Sequence, residues 1–152
     1  MENRKEMSDH HELSTENPEL IREMLLGSGY AEKAIDYYLR REHMGSLPDA
    51  NQISELTGQC GDTMKIFLKI KNNIIQEAKI QVLGCPGAIA SAMAAMEMVK
   101  GKSVEEAAAI RDGDVYKIIE QLPDQKQHCI RLSIKTLQQA LEEYTAKKVA
   151  SS

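Results

Sequence analysis

The sequence predicts an α+β domain: a small three-stranded antiparallel sheet with helices packed on one face. Three observations carry this. Apolar and polar residues alternate with period two from Met64 to Val82, around a central Asn72-Asn73. From Gly84 to the carboxyl end the apolar residues instead recur at helical spacing. The order helix, strands, then a block of helices fits helices segregated to one side of an antiparallel sheet.

The elements follow in chain order. Residues 1–16 are polar and acidic and read as disordered. Asn17 is a candidate N-cap and Pro18 suits a first helical position; Leu20, Met24 and Leu25 lie on one side of this short helix, which Gly27-Ser28-Gly29 ends. A second helix spans Tyr30 to Glu42, with Ala34, Tyr37, Tyr38 and Arg41 at helical spacing, and Gly45 to Pro48 breaks it. Residues 52–58 offer a third strand. Met64, Ile66, Leu68 and Ile70 alternate with Lys65, Phe67, Lys69 and Lys71, and Ala78, Ile80 and Val82 alternate with Glu77, Lys79 and Gln81. Asn72-Asn73 joins the two runs as a hairpin turn, because Asn tolerates positive φ.

Pro86 opens a helix with an apolar stripe of Ile89, Met93 and Met96, and Lys100-Gly101 closes it. Ser103-Val104-Glu105-Glu106 is a capping box. A short helix over Val115–Gln121 stops before Pro123. Asp124 then caps a long helix, with Gln127 at its third position and Ile130, Ile134, Leu137 and Leu141 along the buried face. The domain organisation is an acidic extension over 1–29, a folded domain over 30–146 and a disordered tail over 147–152.

Composition narrows the function. Aromatic residues are 4% of the chain, with no Trp and a single Phe, so platforms for stacking nucleic-acid bases are scarce. The net charge is -4, concentrated in residues 1–29, and the remainder is balanced. No basic field is available to attract a phosphate backbone. No run approaches the roughly 20 apolar residues of a membrane span, and the amino terminus lacks a signal peptide. The expected compartment is the cytosol, and neither nucleic acid nor membrane is an expected partner. In a reducing compartment three cysteines are a poor disulfide framework, so they either pack or do chemistry.

Each cysteine sits at an element boundary. Cys60 precedes the first clear strand, Cys85 lies between a strand and a helix, and Cys129 lies near the start of the long helix. Helix N-termini carry partial positive charge, which favours the thiolate that binds metal or attacks sulfur. Lys126 lies one turn before Cys129 and His128 adjoins it as an alternative nitrogen ligand. Asp62, two residues from Cys60, offers an oxygen ligand on the same side of an extended chain. Against this, an isolated cysteine is most often a buried small hydrophobe, and no CxxC pair is present. A cysteine hydrolase is a weaker reading still, because His128 is badly placed to act as general base for its immediate neighbour.

At these residues the sequence resembles the U-type iron–sulfur cluster scaffold family, the IscU/NifU N-terminal group. The motifs are Cys60-Gly61-Asp62 followed by Met64-Lys65; Gly84-Cys85 followed by Ala88-Ile89-Ala90-Ser91; Glu97-Met98-Val99-Lys100-Gly101-Lys102-Ser103; and Lys126-Gln127-His128-Cys129. The similarity runs from about Tyr30-Ala31-Glu32-Lys33 to about Tyr144. It implies a carrier scaffold rather than a turnover enzyme, one that assembles a transient [2Fe–2S] cluster and transfers it to apoproteins. The implied ligands are Cys60, Cys85 and Cys129, with the fourth position open between Asp62 and His128. Implied partners are a cysteine desulfurase, recipient apoproteins, an iron donor and a ferredoxin, with a homodimer as an open arrangement. Cys129 is the implied persulfide acceptor, with Lys126 close enough to tune it.

The 44-position interval from Cys85 to Cys129 and the presence of His128 favour the IscU-like branch over the zinc-binding, SufU-like sulfurtransferase branch, which is the alternative reading. Zinc would occupy the same ligands as a substitute. Three departures from the family pattern stand out. Leu122-Pro123-Asp124-Gln125-Lys126 keeps only the ends of the Leu-Pro-Pro-Val-Lys segment that an Hsp70-type chaperone recognises, which argues against that partner. Pro86 follows Cys85 where a small residue is expected. Residues 1–29 lie outside the family core, and the carboxy-terminal domains of longer NifU proteins are absent.

Overall fold

The computed structural model describes residues 17–59, 61–120, 122–123 and 127–151. Among these residues six helices and three strands follow in the order α1 (Pro18–Gly27), α2 (Glu32–Arg40), β1 (Gln52–Thr57), β2 (Thr63–Lys71), β3 (Ile74–Leu83), α3 (Pro86–Val99), α4 (Val104–Ala108), α5 (Asp112–Ile119) and α6 (His128–Ser151).

The sheet order is β1-β2-β3 and both pairings are antiparallel. At the β2–β3 turn Asn72 and Asn73 have φ of 55° and 66°, the two positive values that a tight type I′-like hairpin needs. A bulge beside Lys69/Ile70 shifts the register near this turn. On β2 the residues Met64, Ile66, Leu68 and Ile70 are buried toward the helices. Phe67 is buried too, yet lies outside the main core cluster: alternation sends it to the opposite face. There it sits between the paired Ile53 and Lys79, with the Lys65 ammonium 5.6 Å from its ring centroid.

The helices form the other layer. α6 packs on β1 and β2, α3 packs on β3, and α2 covers α3. Sequence periodicity marks only a stripe on α3, but from Gly87 to Met96 the helix is buried on every side, with Ala88, Ala90, Ala92, Ala94 and Ala95 fully inaccessible. The alanines explain this: small side chains let a helix sit between a sheet and two neighbouring helices without a polar face. On α6, Ile130, Ile134, Leu137 and Leu141 face the core.

The boundaries differ from the periodicity in several places. α2 ends at Arg40, where Arg41 turns left-handed at φ 48°. α5 starts at Asp112, three residues before Val115, and the Asp114 carboxylate accepts a hydrogen bond from the Arg111 backbone N–H. α6 starts at His128, so Gln127 precedes the helix instead of forming its third position; Asp124, the expected cap, lies outside the described residues. α6 runs on to Ser151, past the expected boundary at 146, and Lys147 donates to the Asn51 carbonyl at 3.0 Å. On α1, Leu20 and Met24 face solvent and only Leu25 of the expected stripe packs inward. Arg22 ties α1 to α2 through Glu32 and Asp36. The expectation for residues 1–16 lies outside the described residues. Among the described residues no helix is long and apolar enough to cross a membrane.

Candidate metal centre

Three chain segments meet at one end of the sheet. The first is the β1–β2 loop. Gly58 N–H donates to the Asp62 carbonyl at 2.8 Å and Gly61 N–H to the Gly58 carbonyl at 3.1 Å, with Gly61 at φ 89°. This closed loop brings Asp62 to the start of β2. The second is the β3–α3 corner. Cys85 is the N-cap of α3 in extended conformation, and its carbonyl accepts from Ile89 N–H at 3.1 Å. Pro86 then occupies a first-turn position where an N–H would lack a helical partner anyway. The third is the start of α6, which carries His128 and Cys129.

The side chains converge. The Cys85 and Cys129 Sγ atoms are 3.6 Å apart. Cys85 Sγ lies 4.0 Å from Asp62 Oδ2, and Cys129 Sγ lies 3.8 Å from His128 Nε2. Donor atoms of Asp62, His128 and Cys129 all fall within 4.8 Å of one another. Cys129 is buried at the floor, Cys85 and Asp62 are half-buried, and His128 is exposed at the rim. The result is a cup with a sulfur floor and one open side. The N-termini of α3 and α6 both point their positive ends into it, which favours negative charge there. Cys60 and Lys126, the other two sequence candidates, lie outside the described residues.

Gly84 makes the corner close. A Cβ at this position would stand 2.9 Å from Asp62 Cγ and 3.1 Å from Asp62 Oδ1. Only a residue without a side chain leaves the carboxylate beside Cys85 undisturbed.

Tyr30 belongs to the same corner, and sequence reasoning missed it. The residue is buried, and its phenol is pushed up to about 12, first by desolvation and then by the charges of Cys85 and Cys129, while a backbone hydrogen bond with Gly87 pulls the other way. Its only signal in the sequence is its place in Tyr30-Ala31-Glu32-Lys33, which reads as a helix start.

Two thiol sulfurs, an imidazole nitrogen and a carboxylate oxygen form a mixed donor set, soft, borderline and hard in turn. Such a set suits iron with sulfide, or tetrahedral zinc.

Known proteins place the chain in a family. Residues 29–151 match the model of the NifU-like N terminal domain. The chain is 40% identical over 124 residues to the iron-sulfur cluster assembly scaffold protein IscU of Haemophilus influenzae, covering 78% of this chain and 98% of that one. It is 39% identical over 126 residues to the protein of the same name from Escherichia coli strain K12, covering 80% and 98%. Among solved structures, the N-terminal part of a nitrogen-fixing NifU-like protein from Brucella abortus superposes with a TM-score of 0.69 at 18% identity, over 81% of this chain and 99% of that one. A putative scaffold protein for the SUF system from Fervidobacterium islandicum gives 0.63 at 22% identity, over 74% and 96%. These two establish the fold. The chain belongs to the NifU-like N-terminal domain family, whose curated relatives include the IscU scaffolds.

Proposed function

We propose that this chain is an iron–sulfur cluster assembly scaffold. It holds a [2Fe–2S] cluster during construction on Cys60, Cys85, Cys129 and one of Asp62 or His128, and then passes it to recipient apoproteins. The observation that carries this reading is the convergence of Asp62, Cys85, His128 and Cys129 from three separate segments on one partly open cup. Membership of a family with curated scaffold proteins supports it.

Sulfur arrives as persulfide on a cysteine desulfurase. The Cys129 thiolate attacks the outer sulfur; the donor's S–S bond breaks, its cysteine leaves as thiolate, and a new S–S bond forms on Cys129. That step is redox-neutral. Lys126, three positions before Cys129 in the sequence, is the cation assigned to favour the thiolate. Each outer sulfur needs two electrons to become sulfide. For two sulfides, two ferrous ions becoming ferric supply half of the electrons, and an external donor of the ferredoxin class supplies the rest.

Anaerobic reconstitution with ferrous iron, cysteine and a desulfurase tests this. The expected product carries equal iron and sulfide with visible absorption, and Cys60→Ser, Cys85→Ser and Cys129→Ser each lose it. The same mixed donor set also fits tetrahedral zinc, which supports a second reading as a sulfurtransferase of the SufU-like kind. Tight zinc that iron and sulfide cannot displace would favour that reading.

A further inference from the structure

A second set of metal-binding side chains lies well away from the cysteine corner. Glu42, His43 and Glu97 place one carboxylate, one imidazole and one further carboxylate atom within 4.8 Å of one another. Glu97 is twelve positions along α3 from Cys85, about 18 Å at the helical rise, so the two sets sit toward opposite ends of one buried helix.

We infer that Glu42, His43 and Glu97 form a second divalent-cation site, suited to a borderline first-row ion such as zinc or ferrous iron.

The fold holds both halves of this site in place. After the left-handed turn at Arg41, residues 42–45 lie along β3. The His43 carbonyl accepts from Ile80 N–H at 2.9 Å, and Gly45 N–H donates to the Ile80 carbonyl at 3.0 Å. Glu97 stands on the rigid α3, where Tyr37 Oη donates to its Oε2 at 2.9 Å. That bond orients the carboxylate and leaves Oε1 for a metal, as outer partners of ligating carboxylates do elsewhere.

The donor chemistry selects the ion. One imidazole with two carboxylates is borderline rather than purely hard, unlike the all-oxygen cages of calcium and magnesium. Metal–ligand bonds of about 2.1 Å bring donor atoms to roughly 3.4 Å apart, so rotation of the two exposed glutamates closes the set. Two cations are close, Lys79 and Lys100. Neither is paired with a proposed ligand atom: Lys79 Nζ donates to the Glu42 backbone carbonyl at 3.1 Å, and Lys100 Nζ pairs with Glu77 at 3.4 Å. Their charge lowers the affinity without occupying the ligand atoms.

Zinc calorimetry combined with cobalt absorption tests the site on the full chain. Cobalt on thiolates gives intense sulfur-to-metal charge transfer, whereas a nitrogen and oxygen site gives none, so the two sites report separately. The expected result is two zinc equivalents for the wild type. His43→Ala should lose one, and Glu97→Gln should weaken that same one by at least about tenfold, with the sulfur charge-transfer band unchanged. Glu97→Gln alters an exposed side chain, so the test survives if His43→Ala fails to fold. Wild-type stoichiometry and affinity in both variants would overturn the inference, as would an equal loss in the control Glu105→Gln on α4. Loss of the charge-transfer band with the second equivalent intact would instead count against the cysteine site.

Discussion

The sulfurs of Cys85 and Cys129 lie 3.6 Å apart although 44 positions separate the residues. A disulfide needs about 2.05 Å, so a shift of roughly 1.5 Å would join them. Mild oxidation with hydrogen peroxide should therefore link Cys85 to Cys129 and block cluster reconstitution until a reductant is added. Peptide mapping by mass spectrometry identifies the bond; absence of a Cys85–Cys129 link among the oxidised peptides would overturn the prediction.

Gly84 controls the Asp62 carboxylate. Gly84→Ala places a methyl group 2.9 Å from Asp62 Cγ, and the carboxylate is the part able to move. The expected cost is about 1 kcal/mol, at the low end for overpacking, measured by urea unfolding. Adding Asp62→Ala should recover part of it, because the contact with the carboxylate is then gone while Ala88 Cβ still stands 3.2 Å from the new methyl. Costs that simply add in the double variant would show that the methyl strains the backbone instead.

Asp62 also bears on cluster lifetime. A carboxylate ligand is more easily displaced than a thiolate on iron, so the reconstituted Asp62→Ala protein should hold its cluster longer than wild type. Decay of visible absorption in the presence of a chelator measures this. An unchanged decay would shift the fourth position to His128.

Alkaline pH should loosen the α2–α3 contact. The Tyr37 phenol is pushed up to about 12, mainly by burial and next by its hydrogen bond to Glu97. A tyrosine in the unfolded chain ionises near 10, so between pH 10 and about 12 the unfolded state loses protons that the folded state keeps. Stability present below pH 10 is lost progressively across that window. Tyr37→Phe should show a smaller fall over the same range in urea midpoints.

The capping box at α4 gives a local control. The Ser103 hydroxyl accepts from Glu106 N–H at 3.1 Å, and the Glu106 carboxylate accepts from Ser103 N–H at 3.0 Å. Ser103→Ala should cost about 1 kcal/mol in unfolding experiments and leave cluster assembly untouched.

The hairpin, the capping box and the core face of α6 were legible in the sequence because each rests on local chemistry: period-two alternation, paired Asn, and Ser with Glu three residues on. What stayed hidden depends on tertiary packing. An alanine-rich segment signals a helix but not that α3 is enclosed on all sides. The exposure of Leu20 and Met24 follows from how α1 docks through Arg22, which no periodicity encodes. At the cysteine corner Asp62, Cys85, His128 and Cys129 were readable as candidates from their motifs, and the fold brings these four together. Tyr30 was not, because a tyrosine at a helix start looks like any other until the fold carries it to Cys85 and Cys129, more than fifty positions away. The Glu42–His43–Glu97 grouping escaped for the same reason.

The burial of α3 ties cargo to folding. Cys85 caps a helix that fills the centre of the core, so the Cys85 thiol is joined directly to the packing that stabilises the domain. A cluster bound to the native cup, and not to the unfolded chain, raises stability by RT ln(1 + [L]/Kd), and by reciprocity a partner that binds the unloaded form more tightly than the loaded one lowers the cluster affinity by that difference. On the proposed reading, a contact with the alanine helix that favours the unloaded form would drive release from a surface far from the sulfurs.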